Sequence, residues 1–241
     1  MVDVAHIIPR SPDDPPRRRL PVKPWHGAVA AVVAAAVAGG LWAWKPWQSV
    51  ELPASACWTV LGPADLRPLA GPDGKAYESR SFARIATPAG PDEALIRSDS
   101  CTVHWDKHDL LHVSVRPAYD GVDADRSVAA GRGPLAPLDF GPGAVAWTGN
   151  ERYSGPNVRL YVRCDFVTPP GRPADTAPYF GVKVSGGEVP GASAARTRQA
   201  YADIALKIAR TAAAEYGCSN QVQLPAEAPT VPDLSKEQAH G

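Results

Sequence analysis

The first thing the chain lacks is net charge. Lysine plus arginine equals aspartate plus glutamate, 25 each, so no global field draws it to nucleic acid or an acidic polymer. Any charge argument has to be local. No two of its cysteines stand in a CxxC pair, which removes the usual spacing of a zinc or dithiol redox site. GxSxG, SxxK and HExxH are also missing, and with them the local signatures of common serine and zinc hydrolases. Long apolar runs are missing too, with one exception.

The exception is Gly27 to Trp44, GAVAAVVAAAVAGGLWAW, 18 residues without a charge. As a helix rising 1.5 Å per residue it would extend about 27 Å, close to the hydrocarbon thickness of a bilayer. Trp42, Trp44 and Trp47 at one end and Trp25 at the other suit the membrane interfaces; a cleaved secretory signal, the competing reading, has no need of them. Arg10, Arg17, Arg18, Arg19 and Lys23 precede the run, whereas only Lys45 follows it closely. The positive-inside bias therefore keeps the N-terminus cytoplasmic. The expectation is a single-pass transmembrane helix at the cell membrane, with the lipid bilayer as partner through Gly27 to Trp44 and the remaining chain extracytoplasmic.

All four cysteines, Cys57, Cys101, Cys164 and Cys218, lie after this run, as they would in an oxidising compartment. Ala54-Ser55-Ala56-Cys57 looks like the end of a lipidation motif, but Lys45, Pro46, Gln48 and Glu51 separate it from the apolar run. Cys57 is then available for a disulfide. Four cysteines allow three pairings, all open from sequence. Cys101 and Cys164 fall on inward faces of expected strands, while Cys57 and Cys218 flank expected helices. The preferred arrangement joins Cys57 with Cys101 and Cys164 with Cys218, tying a helix to the sheet each time.

With 26 prolines and 21 glycines, the chain should turn often and use short elements. The expected organisation is a disordered cytoplasmic arm (1–26), the transmembrane helix (27–44), a linker (45–54), one extracytoplasmic α+β domain (55–219) and a disordered polar tail (220–241) interrupted by Pro225, Pro229 and Pro232. Within the domain, Pro63 to Leu69 suits a short helix, and Ser81 to Thr87 and Ala94 to Ile96 could contribute strands. Cys101 to Trp105, Leu111 to Val115, Val145 to Thr148, Val158 to Cys164 and Tyr179 to Val184 carry period-two or short apolar patterns. Pro117 to Pro142 reads as a long loop. Tyr201, Ile204, Ala205, Ile208 and Ala212 recur at helical spacing, so Ala192 to Tyr216 should form a long helix capped at Gly217. The fold class expected is an antiparallel sheet of five or six strands with this helix on one face.

Four groups are candidates for chemistry. Pairing inward residues in a hairpin centred on His108 puts Trp105 opposite Leu111, Val103 opposite Val113 and His104 opposite His112. His104, His108 and His112 could then converge on a metal, but no carboxylate or cysteine clearly completes the set, although Asp106 and Asp109 are near. A solvated hairpin edge is the simpler reading, and no metal is expected. Asp120, Asp123 and Asp125 sit in DGVDAD, which lacks the order and the later glutamate of an EF-hand and reads as an acidic surface loop. Gly131 to Ala136 fits GxGxxA, yet Pro134 and Pro137 spoil the helix that a dinucleotide site requires. The outward row Arg159, Tyr161 and Arg163 could bind an anionic ligand or envelope polymer through guanidinium groups. A polar sheet face with cross-strand charge pairs explains the same row. No catalytic residue and no cofactor is expected.

Cys57-Trp58 followed by Asp65-Leu66 and Leu69, then Leu160-Tyr161-Val162-Arg163-Cys164, then an alanine-rich helix closing on Gly217-Cys218, resembles membrane-anchored or lipoprotein-like cell-envelope proteins of actinobacteria. The resemblance implies a small α+β ectodomain with paired cysteines and carries over no functional residue. The function expected is non-enzymatic: a binding or interaction domain for an envelope component, a small ligand or another membrane protein. The alternatives are a cell-envelope hydrolase and a sensory or accessory subunit of a membrane complex.

Overall fold

The computed structural model describes residues 29, 31–37, 39–40, 50–86, 98–105, 108–118, 122–151, 155–165, 179–187 and 193–234. The chain divides into two units, Met1–Trp47 and Gln48–Gly241. In the first, the described residues are helical. Among the described residues, no helix is long and apolar enough to cross a membrane, which corrects the expected transmembrane helix as an element of the fold.

The second unit is built on one sheet. Its elements are β1 (Val50–Glu51), α1 (Pro63–Leu66) running into a 3-10 turn (Arg67–Leu69), β2 (Gly74–Arg80), β3 (Asp99–Trp105), β4 (His108–Pro117), α2 (Val122–Ala130), β5 (Leu135–Leu138), β6 (Ala144–Glu151), β7 (Gly155–Arg163), β8 (Tyr179–Ser185) and α3 (Ala194–Glu215). The strands lie in the order β1-β2-β3-β4-β8-β7-β6-β5. The sheet is therefore α+β but larger than expected, with eight strands in place of five or six. It is also mixed, because β1 pairs parallel with β2 while the other pairings are antiparallel.

The missed strands lie at the edges, where the pattern that marks a strand fades. In β2 only Ala76 is buried, and β1 has two residues. Pro137 argues against a strand at β5, but β5 is the last strand of the sheet, and an edge position tolerates a missing N–H. Of Ser81 to Thr87, expected as strand, residues 81–86 are irregular and Thr87 lies outside the described residues, as does Ala94 to Ile96.

One face follows the alternation closely. Cys101, Val103, Leu111, Val113, Val115, Val158, Leu160, Val162, Phe180, Val182 and Val184 are buried on it, against Tyr201, Ile204, Ala205, Ile208 and Ala212 of α3. Ser193 caps the helix by accepting from the Arg196 backbone N–H. Gly217 ends it at φ +61°, the left-handed conformation that glycine adopts without a Cβ penalty. The Tyr201 hydroxyl crosses the layer to donate to the Leu110 carbonyl at 3.3 Å.

Disulfides join Cys57 to Cys101 and Cys164 to Cys218, with Cα–Cα separations of 5.3 and 4.9 Å. The first ties the segment before α1 to β3. The second ties the end of β7 to the end of α3. Beyond it, residues 220–234, the described part of the stretch read from sequence as a disordered tail (220–241), run along α3 instead. Gln199 on the helix donates to the Pro229 carbonyl and accepts from the Val231 N–H at 3.2 and 2.9 Å, while Val231 and Leu234 are buried. The prolines that argued for disorder favour an extended strap.

The hairpin register also differs from expectation. Val103 pairs with Leu111 and Cys101 with Val113, and a shift after Val103 then sets His104 opposite Asp109 and Trp105 opposite His108. β3 ends at Trp105 and β4 begins at His108, with these two residues paired, so the register is not centred on His108. The irregularity then moves the outer residues off the inward pairing rule. His112 faces Thr102 rather than His104.

The largest departure is on the other face. The expected loop Pro117 to Pro142 contains α2 and β5, and α2 packs against β6. A second small core forms there from Ala118, Ala129, Trp147 and Tyr161, with Val122, Leu135, Val145 and Tyr179 against it.

Candidate functional site

Beside that second core, the outer face of the sheet opens into a cavity of about 550 Å³. Its floor comes from cross-strand rows that the register sets. Ser100, Ser114, Lys183 and Arg159 occupy consecutive positions across β3, β4, β8 and β7, with Trp147 of β6 next. The adjacent row carries Arg116, Gly181, Tyr161 and Val145. Asp125 and Val128 of α2 and Arg132 just beyond it supply a wall, and Ser98 and His112 complete part of the rim.

Two carboxylates organise the cations. Glu151, at the end of β6 and only 5% exposed, meets Arg159 Nη2 at 2.6 Å, Arg132 Nη1 at 3.7 Å and Lys183 Nζ at 3.9 Å. The Arg159 side chain is 8% exposed, and its Nε finds no hydrogen-bond acceptor among the described residues. A buried guanidinium with a donor left over is costly unless something satisfies it. Asp125 is the second organiser. It accepts from the Tyr161 hydroxyl and pairs with Arg116 Nη2 at 2.5 Å.

Electrostatics follow from this arrangement. Burial pushes the Tyr161 phenol up, the hydrogen bond to Asp125 adds to it, and the group is raised to about 12. Burial also acts to raise Asp125, but hydrogen bonds from Tyr161 and Arg116 outweigh it and hold the carboxyl below its ordinary range. Lys183 is lowered, chiefly by burial and then by the Arg159 charge beside it. His112 is lowered by burial and by Lys183. Its neutral ring is favoured, with Nδ1 at 3.0 Å from the Thr102 hydroxyl.

The candidates from sequence are distributed unevenly. Arg159 and Tyr161 line the cavity. Arg163, from the same row, is half exposed beside Asp165 at 3.5 Å and stands outside it. The three histidines do not converge: His112 is in the cavity, while His104 sits between Asp109 and the Ser79 hydroxyl, each at 2.8 Å, stacked on Tyr77. The His108 side chain lies outside the described residues. Among the described residues no three His, Cys, Asp or Glu side chains are placed to hold a metal. In DGVDAD, Asp120 lies outside the described residues, Asp123 is exposed on α2 and Asp125 is in the site.

Arg116, Arg132, Glu151 and Lys183 were not singled out by sequence reasoning. Arg116 and Lys183 left a signal, since each is an outward residue of an alternating strand and would share a face with Arg159 once β8 is placed between β4 and β7. Arg132 and Glu151 left none. The chain matches no family model, no curated protein and no solved structure.

Proposed function

We propose that the disulfide-bearing unit is an extracytoplasmic binding domain whose outer-face cavity takes an anionic group. The observation that carries this reading is Arg159, buried, fixed through one nitrogen by Glu151 and with Nε lacking an acceptor, beside a half-buried Lys183. Natural ligand sites are concave, of about 300–1,000 Å³, with a few convergent polar groups. Guanidinium and ammonium groups held in a shielded cleft recognise carboxylates and phosphates more strongly than they do in open water. The polar side chains here are held by ion pairs and strand register, which supports binding rather than turnover.

The location rests on separate support. Two disulfides suit an oxidising compartment, as expected of a cell-envelope protein. Contact with a lipid bilayer through Gly27 to Trp44 is supported by the uncharged sequence and its tryptophans. Carbonate extraction of membranes tests that contact, and full release of the protein would remove it from the reading.

The binding claim is tested by thermal unfolding of the full chain in millimolar sulfate against chloride at matched ionic strength. Sulfate should raise the melting temperature of the wild type and leave the double variant Arg132→Gln/Lys183→Met unmoved. Equal responses of the two proteins would count against the cavity as an anion site.

A further inference from the structure

The geometry points to a phosphate monoester, in its dianionic form, as the group held over Lys183 and Arg159. This rests on the cavity being an anion site and names its ligand class.

The charge of the cavity favours a dianion. Arg116, Arg132, Arg159 and Lys183 surround the cavity against two carboxylates, Asp125 and Glu151. Among the described residues two positive charges are left over, and neutral His112 adds none. A carboxylate or a phosphodiester brings one negative charge, whereas a phosphate monoester above its second pKa of about 6 brings two.

That charge is concentrated. Arg132, Arg159 and Lys183 all place a nitrogen within 4 Å of the same carboxylate, at 3.7, 2.6 and 3.9 Å. The surplus is thus gathered around one point rather than spread along a groove. A dicarboxylate also carries two charges, but it separates them by its carbon skeleton. A phosphate places both on one tetrahedral centre, with three acceptor oxygens for the surrounding donors.

The donors around Lys183 also suit a phosphate. Lys183 has Arg159 directly across one strand boundary and Ser114 directly across the other, with Ser100 beyond Ser114. Neighbouring strands are about 4.8 Å apart, so an anion above Lys183 has a guanidinium on one side and a hydroxyl on the other. These donors suit a centre with three acceptor oxygens better than the two of a carboxylate. The rest of the cavity, toward Ser98, His112 and Val128, leaves room for the organic part of the ester.

Isothermal titration of the full chain at pH 7.5 with methyl phosphate, dimethyl phosphate and malonate tests this. Methyl phosphate should bind at least about tenfold more tightly than either of the others, and its affinity should fall as pH drops through about 6, where it takes up its second proton. Lys183→Met should weaken methyl phosphate about tenfold or more, and Arg132→Gln, at an exposed position, should weaken it in the same direction. Lys207→Met, which breaks a remote pair with Asp65, should change nothing. Malonate or dimethyl phosphate binding as tightly as methyl phosphate would overturn the monoester assignment and leave the anion cavity standing. No binding of any of the three, or binding indifferent to both cavity variants, would overturn the anion reading itself.

Discussion

The Tyr161 ring lies over Gly181, its cross-strand neighbour, so closely that a Cβ at 181 would stand 2.8 Å from the ring Cε1. The ring cannot retreat freely, because its other neighbour is Trp147, stacked on it with centroids 5.2 Å apart. Gly181 thereby lets Tyr161 lean across β8 and deliver its hydroxyl to Asp125 beside Arg116.

Gly181→Ala is therefore expected to be more costly than an alanine in a strand would otherwise be. Overpacking of this kind destabilises by about 1–3 kcal/mol. Denaturant unfolding measures the loss. Tyr161→Ala on the same background should recover part of it by removing the clash.

Burial of the Tyr161 phenol, together with its hydrogen bond to Asp125, has a pH signature. A phenol raised to about 12 in the folded state and ordinary in the unfolded state favours folding below about pH 10. That contribution is lost as pH rises from about 10 to about 12, because the unfolded chain gives up the proton first. Stability measured across this window should fall more steeply in the wild type than in Tyr161→Phe. Asp125 works in the opposite direction: held below its ordinary range, it contributes above about pH 4 and loses that contribution on acidification.

How much of this was legible in sequence depended on which face a residue serves. The inner face was readable because Val158, Leu160 and Val162 alternate with polar residues and Tyr201, Ile204 and Ile208 recur at helical spacing, so local pattern and burial agree. The outer face was not. Arg159, Tyr161 and Lys183 occupy positions that normally face water, and α2, folding back from a stretch rich in glycine and proline, covers part of that face. Asp125 looked like one acid among three because its partners, Arg116 and Tyr161, are 9 and 36 residues away. Toward the sheet edges the signal faded for different reasons: β2 buries only Ala76, while β5 buries Ala136 and Leu138 but is written Leu-Ala-Pro-Leu, four apolar residues with a proline and no polar alternation to mark a strand.

The disulfides should each be worth about 2–4 kcal/mol, as both close loops of moderate length, with separations of 44 and 54 residues. Peptide mapping without reduction should recover Cys57 with Cys101 and Cys164 with Cys218. A peptide linking Cys57 to Cys164 would contradict the pairing.

The strap over α3 makes a separate prediction. Removing residues 226–241 takes away Val231 and Leu234, both buried, and burial of a side chain of that size contributes about 1.5–3 kcal/mol. The truncated protein should unfold at lower denaturant than the wild type by at least one such increment. Limited proteolysis should also begin within α3, where the intact protein resists.

The central claim is that Arg159 on the outer face meets an anion. Its most direct test is the ¹H–¹⁵N resonance of the arginine Nε–Hε groups in the full chain during titration with methyl phosphate, the Arg159 signal being assigned by its loss in Arg159→Lys. The account predicts a saturable shift of the Arg159 signal, with Arg163, outside the cavity beside Asp165, left in place. A still Arg159 signal at methyl phosphate concentrations that move exposed arginines would contradict it.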